Sequence, residues 1–139
     1  MMSLRHIGIV VRDIDESLDF YQMLGYEVVA DIQEDGKFID EILGLYNVKL
    51  RTIKMKQDNH MIELLYYENP IPDDNFKRVN FVGCTHFAVT VDDIDELYGD
   101  LIMSGVHFIK EPISNGKVKV AFCKDPNDVY IELVEELRR

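Results

Sequence analysis

The chain has 139 residues, the length of one ordinary domain, with 47% hydrophobic and 29% charged residues, a balance that excludes both a disordered and a collagen-like polymer. Its 15 basic and 26 acidic side chains leave a net charge of −11 with no basic cluster. Such a charge repels phosphate backbones and anionic lipid surfaces, so neither nucleic acid nor a membrane is an expected partner, although a local cationic pocket for a small anion is compatible with it. The longest strongly apolar runs, IGIVV and HMIELLYY, fall far short of the roughly 20 residues of a membrane span.

The opening MMSLRHIGIVVRD carries a charge and a histidine ahead of a short apolar run and lacks a small-residue cleavage site. It reads as a first strand rather than a signal peptide, and a cytoplasmic location is the expectation. LRHIGIVV alternates and is rich in β-branched residues, as a strand requires. Asp13 then offers an N-cap with Glu16 three residues on, and Ile14, Leu18, Phe20 and Tyr21 recur at helical spacing before Gly25, a left-handed stop. YEVVAD resumes extended structure. The segment 32–47 is less regular and suits either a substrate-covering loop pivoting at Gly36 and Gly44 or a plain connection. VKLRTIKMK and HMIELLYY flank QDN and read as a hairpin.

NPIPDDN, residues 69–75, reads as a linker, and beyond it the pattern begins again. Residues 6–25 lie over residues 86–105 at a constant offset of 80 with eight of twenty positions identical, and HMIELLYY is answered by VYIELVEE. The second copy has Asp93 as N-cap, Gly105 as stop, then VHFIK, GKVKVAFCK and VYIELVEE, the last two around the turn DPND. The predicted class is therefore α+β. It consists of two tandem βαβββ modules within one domain, residues 1–139: module one about 1–68, linker about 69–80, module two about 81–139. Neither module buries its sheet alone, so the expected product is one curved, mostly antiparallel sheet around a cavity, with the helices outside. Cys84 and Cys123 lack CxxC spacing and sit in predicted strands, which reads as two buried, reduced thiols.

Strand periodicity assigns faces. His6, Gly8 and Val10 point one way and Ile7, Ile9 and Val11 the other; His86, Ala88 and Thr90 oppose Phe87, Val89 and Val91 in the same manner. The greasy set faces the helix. The other face opens on a histidine followed by a very small residue, which leaves room for a ligand. Glu63 stands between Ile62 and Leu64, and Glu132 between Ile131 and Leu133, and a carboxylate so placed is costly unless paired or bound to a cation. A single histidine or glutamate of this kind is ordinarily structural. Its retention at matched places in two copies that differ at twelve of twenty aligned positions points to a shared task. His6, Glu63, His86 and Glu132 suit the first coordination shell of a divalent ion of the Zn, Ni, Co, Mn or Fe type. His60 and His107 have no counterpart in the other module and read as surface residues.

HIGIVVRDIDESLDFYQMLGYEVV, HMIELLYY, THFAVTVDDIDELYGDLIMSGVHFI and CKDPNDVYIELVEE resemble the vicinal oxygen chelate superfamily, which includes glyoxalase I, methylmalonyl-CoA epimerase, extradiol dioxygenases and the fosfomycin and bleomycin resistance proteins. The resemblance covers nearly the whole chain. It implies one divalent metal ion (Zn, Ni, Co or Mn) on His6, Glu63, His86 and Glu132, with Glu63 and Glu132 as the catalytic carboxylates. Extradiol dioxygenases and fosfomycin enzymes use a His, His, Glu set, and epimerases often carry glutamine in the remaining place. Glutamate at 63 therefore looks most like glyoxalase I, a lactoylglutathione lyase that transfers an α-proton through an enediolate. The alternatives are an epimerase-like enzyme, a dioxygenase and a non-catalytic drug-binding protein. The implied partners are a small-molecule substrate of the thioester or thiohemiacetal class and a second copy of the chain in a homodimer. Such substrates are anionic, and the candidate cations are Arg5, Arg12, Arg51, Lys54 and Lys119, with Arg51 placed highest because it lies in a central strand.

Overall fold

The computed structural model describes residues 1–75 and 77–137. They form two compact units, divided between residues 74 and 75, each built around its own sheet. The α+β class expected from the sequence is the class the structure has.

Unit one runs β1 (Ile7–Val10), α1 (Ile14–Met23), β2 (Glu27–Asp35), α2 (Lys37–Leu43), β3 (Lys49–Gln57) and β4 (His60–Asn69). The sheet order is β1-β4-β3-β2, with β1 parallel to β4 and the other pairs antiparallel. Asp13 caps α1 as its spacing predicts, its side chain accepting from the Glu16 N–H at 3.0 Å. Gly25 follows the helix at φ 96°, and a Cβ there would lie 2.5 Å from the Gln57 side chain, so glycine meets both the left-handed backbone and the close approach. The buried stripe of α1 is Ile14, Ser17, Phe20 and Tyr21, and the buried residues of the sheet include Ile9, Ile53, Met55, Ile62 and Leu64.

The segment 32–47 is neither loop nor simple connection. β2 runs on to Asp35, and the helix α2 occupies Lys37–Leu43 between Gly36 at φ 103° and a left-handed Gly44 at φ 68°. Asp40 fixes the return of the chain: its carboxylate accepts from the N–H of Asn47 at 3.1 Å and of Val48 at 2.9 Å. Ile39, Val48 and Leu50 then form a small core with Leu45, Leu65 and Tyr67 packed on it.

Unit two runs β5 (His86–Thr90), α3 (Ile94–Met103), β6 (His107–Phe108), β7 (Ile113–Ser114), β8 (Val118–Lys124) and β9 (Tyr130–Glu136). Its order is β5-β9-β8-β6, with β7 also on β8, and β5 lies parallel to β9 just as β1 lies parallel to β4. Asp93 caps α3 by accepting from the Glu96 N–H at 3.0 Å. VHFIK contributes only two strand residues. The DPND turn is held by Asp125, which is buried and accepts from the N–H of Asn127 at 2.7 Å and of Val129 at 2.8 Å. Ile94, Leu101, Ala121, Cys123, Ile131 and Leu133 form the core of this unit. Both cysteines are free. Cys123 is buried as expected, whereas Cys84 is exposed and precedes β5, so its expected burial in a strand does not hold.

Candidate functional site

In unit one the parallel pairing of β1 with β4 sets Gly8 opposite Glu63. His6, just before β1, shares the face of Gly8, and its Nε2 lies 3.2 Å from Glu63 Oε1. A methyl group at position 8 would come within 3.2 Å of the Leu65 side chain, so part of the room that glycine leaves is taken by a neighbouring leucine. The Glu63 side chain is 12% exposed. Its second oxygen, Oε2, lies 3.6 Å from Lys54 Nζ on the adjacent strand β3, where Lys54 is the register partner of Glu63.

Unit two repeats the arrangement with two changes. Ala88 stands opposite Glu132, and His86 Nε2 lies 3.4 Å from Glu132 Oε1. The register partner of Glu132 on β8 is Phe122, whose ring meets His86 edge-on with centroids 5.2 Å apart. Here the glutamate has an aromatic wall where Glu63 has an ammonium, and its side chain is 26% exposed. Both expected His–Glu pairs are thus brought together, each within its own module. Among the described residues no three His, Cys, Asp or Glu side chains are gathered into a ready-made cage for an ion.

The cations expected to meet an anionic substrate sort differently from the expectation. Arg51 is three positions from Lys54 and so on the opposite face of β3, where it makes a two-pronged pair with Asp31 at 2.8 and 3.0 Å and feels Asp15 of α1. The guanidinium holds the Asp31 carboxyl below its usual range by hydrogen bonding first and charge second. Arg12 is likewise engaged two-pronged by Asp74, and Lys119 bonds Asp95 of α3 at 2.6 Å. Of the cations named from sequence, Lys54 is the one at a glutamate of the His–Glu pairs.

His107 is exposed, as expected. His60 is not a plain surface residue: it is half-buried, and its Nε2 lies 2.6 Å from the hydroxyl of Tyr26, a buried residue whose pKa burial raises to about 12. This pair ties the strand after α1 to the β3–β4 hairpin.

Against known proteins, the family model described as the Glyoxalase/Bleomycin resistance protein/Dioxygenase superfamily matches residues 3–133. The chain belongs to that superfamily. A lactoylglutathione lyase of Schizosaccharomyces pombe is 31% identical over 96% of the chain, which spans only 47% of that relative's length. A lactoylglutathione lyase of Neisseria meningitidis is 28% identical over 97% of the chain and 91% of its own length. The crystal structure of a glyoxalase family protein from Bacillus cereus superposes with a TM-score of 0.93 at 22% identity, covering 99% of this chain and 96% of the other, a likeness of fold.

The donor chemistry suits the divalent ion this superfamily implies. Each module presents one imidazole nitrogen and one carboxylate oxygen side by side on a single sheet face, and neither pair is fully buried. Nitrogen and oxygen donors of this kind fit Zn, Ni, Co and Mn.

Proposed function

We propose that the protein is a metal-dependent lyase or isomerase of the glyoxalase I type, acting by proton transfer at a carbon next to a substrate carbonyl. The observation that carries the reading is the duplicated pair: His6 with Glu63 and His86 with Glu132, at 3.2 and 3.4 Å, each on the sheet face opposite its module's helix. The lactoylglutathione lyase relatives support it. On this reading the two histidines and two glutamates would hold one divalent ion, which would supply Lewis-acid chemistry toward the substrate carbonyl. Because both pairs are needed, residues 1–139 act as one functional domain.

The residues do the rest. His6 and His86 supply nitrogen donors. A glutamate carboxylate within hydrogen-bond reach of the substrate carbon takes its proton and returns it to the neighbouring carbon. The Cys123 thiol supports no rival chemistry, since it is buried, with its pKa pushed up to about 12 by desolvation and then by Asp125. The substrate is of the thiohemiacetal class, the location cytoplasmic and the assembly a homodimer. The edge strand β2 leaves Val28, Val29 and Ile32 exposed, consistent with a second copy covering an edge.

The test is exchange of the α-proton with deuterated solvent, followed by NMR, in the methylglyoxal–glutathione hemithioacetal and in methylmalonyl-CoA, with Zn, Ni, Co or Mn supplied. Exchange in the hemithioacetal is the expected result. Exchange only in the thioester would move the assignment to an epimerase, and no exchange in either, with oxygen consumed in the presence of Fe and a catechol, would replace it with a dioxygenase.

A further inference from the structure

The two copies of the His–Glu pair are not equivalent, and the difference lies one strand away. Glu63 touches His6 through Oε1 and Lys54 through Oε2, so both oxygens are engaged; Glu132 touches His86 and, among the described residues, no lysine or arginine. Lys54 lies directly across the β3–β4 ladder from Glu63, with its side chain 32% exposed, so backbone pairing rather than a flexible loop sets its reach. At the corresponding register position of unit two, Phe122 packs on the histidine and offers no donor to the carboxylate.

We propose that Lys54 is a positioning residue for module one, holding Glu63 by its outer oxygen so that Oε1 stays turned to His6. For its effect on metal affinity this inference rests on the proposed metal centre, but the tether itself is a property of the metal-free protein. A largely buried carboxylate with one oxygen drawn toward an ammonium by an ion pair at 3.6 Å has fewer orientations to lose when it takes up a ligand, which is how groups behind a ligand raise affinity. The ammonium also repels an incoming cation. It stands on the far oxygen and is partly hydrated, so solvent screens that repulsion and the orienting effect is the larger of the two.

Four proteins test this: wild type, Lys54→Met, Lys54→Arg and Lys56→Met. Lys56 lies two residues along β3 on the same face and is exposed, so its replacement removes the same charge without touching the Glu63 contact. In metal-free protein the His6 ring 15N and 1Hε1 signals are expected to move in Lys54→Met, to return in Lys54→Arg, and to stay at wild-type positions in Lys56→Met. By calorimetry, Zn or Ni affinity is expected to fall about tenfold in Lys54→Met relative to Lys56→Met and to recover mostly in Lys54→Arg. Unmoved His6 signals in Lys54→Met, or an affinity equal to or above that of Lys56→Met, would overturn the proposal. If wild type itself binds no divalent ion the metal centre fails, and the His6 signals alone decide whether Lys54 orients Glu63.

Discussion

At the scale of single residues, the proposed reaction would rest on two carboxylates that stand in unlike surroundings. Replacing Glu63 or Glu132 with glutamine keeps the shape and removes the base, so each variant should retain its fold and lose about two to four orders of magnitude in α-proton exchange, as measured by NMR with matched thermal melts. The two histidines outside the pairs give a contrast. His60→Ala should leave metal binding intact but cost about 1 kcal/mol in denaturant unfolding, because the buried Tyr26 hydroxyl loses its partner. The buried thiol and phenol also set a pH dependence. Unfolded Cys123 and Tyr26 release protons from their ordinary values of 9.0 and 10.0, whereas in the fold both hold them to about 12. The folded state therefore binds more protons above pH 9, and stability that is whole below pH 9 should decline steadily toward pH 12. Cys123→Ala should flatten the first part of that decline in urea titrations, and a decline of unchanged slope would contradict the assignment. The sequence placed His6, Glu63, His86 and Glu132 on one kind of strand face because period-two alternation needs no tertiary knowledge. It misjudged Arg51 for want of a register. A two-residue turn at Asp58 and Asn59 makes Gln57 and His60 partners, and three steps back along each strand lie Lys54 and Glu63. That inference was open in the sequence and would have chosen the lysine.

At the scale of elements, what could be read was what local chemistry decides. The caps Asp13 and Asp93, the stops Gly25 and Gly105 and the turns at QDN and DPND are each fixed by a side chain or a φ angle within a few residues. The helix α2 was not legible. Its seven residues are too few for a periodic signal, and only the packing of Ile39 on Val48 and Leu50 makes it worth forming. The short pieces β6 and β7 are defined solely by pairing with β8. If Asp40 is the fastening of α2, Asp40→Ala leaves the N–H groups of Asn47 and Val48 without their acceptor. It should speed amide exchange across Lys37–Leu43 and cost about 1–2 kcal/mol, while exchange in β8 and β9 stays as in wild type.

At the scale of the whole molecule, duplication is the organising fact. One βαβββ plan was written twice, and each copy kept a helix-facing apolar stripe and a His–Glu pair on the other side of its sheet. Around those constants the copies differ: module one has α2 and the Lys54 contact, module two has a short second strand and Phe122 against His86. Among the described residues no helix is long and apolar enough to cross a membrane. Sedimentation at micromolar concentration should give a dimer, and a monomer there would remove the homodimer from the account. The most direct test of the central claim is metal content by elemental analysis on protein purified without chelator, paired with calorimetric titration. The account predicts one divalent ion per set of His6, Glu63, His86 and Glu132 in wild type and in His60→Ala, and none in His86→Ala. Wild-type protein that holds no stoichiometric metal, takes up none on titration and melts at the same temperature with and without chelator would contradict it.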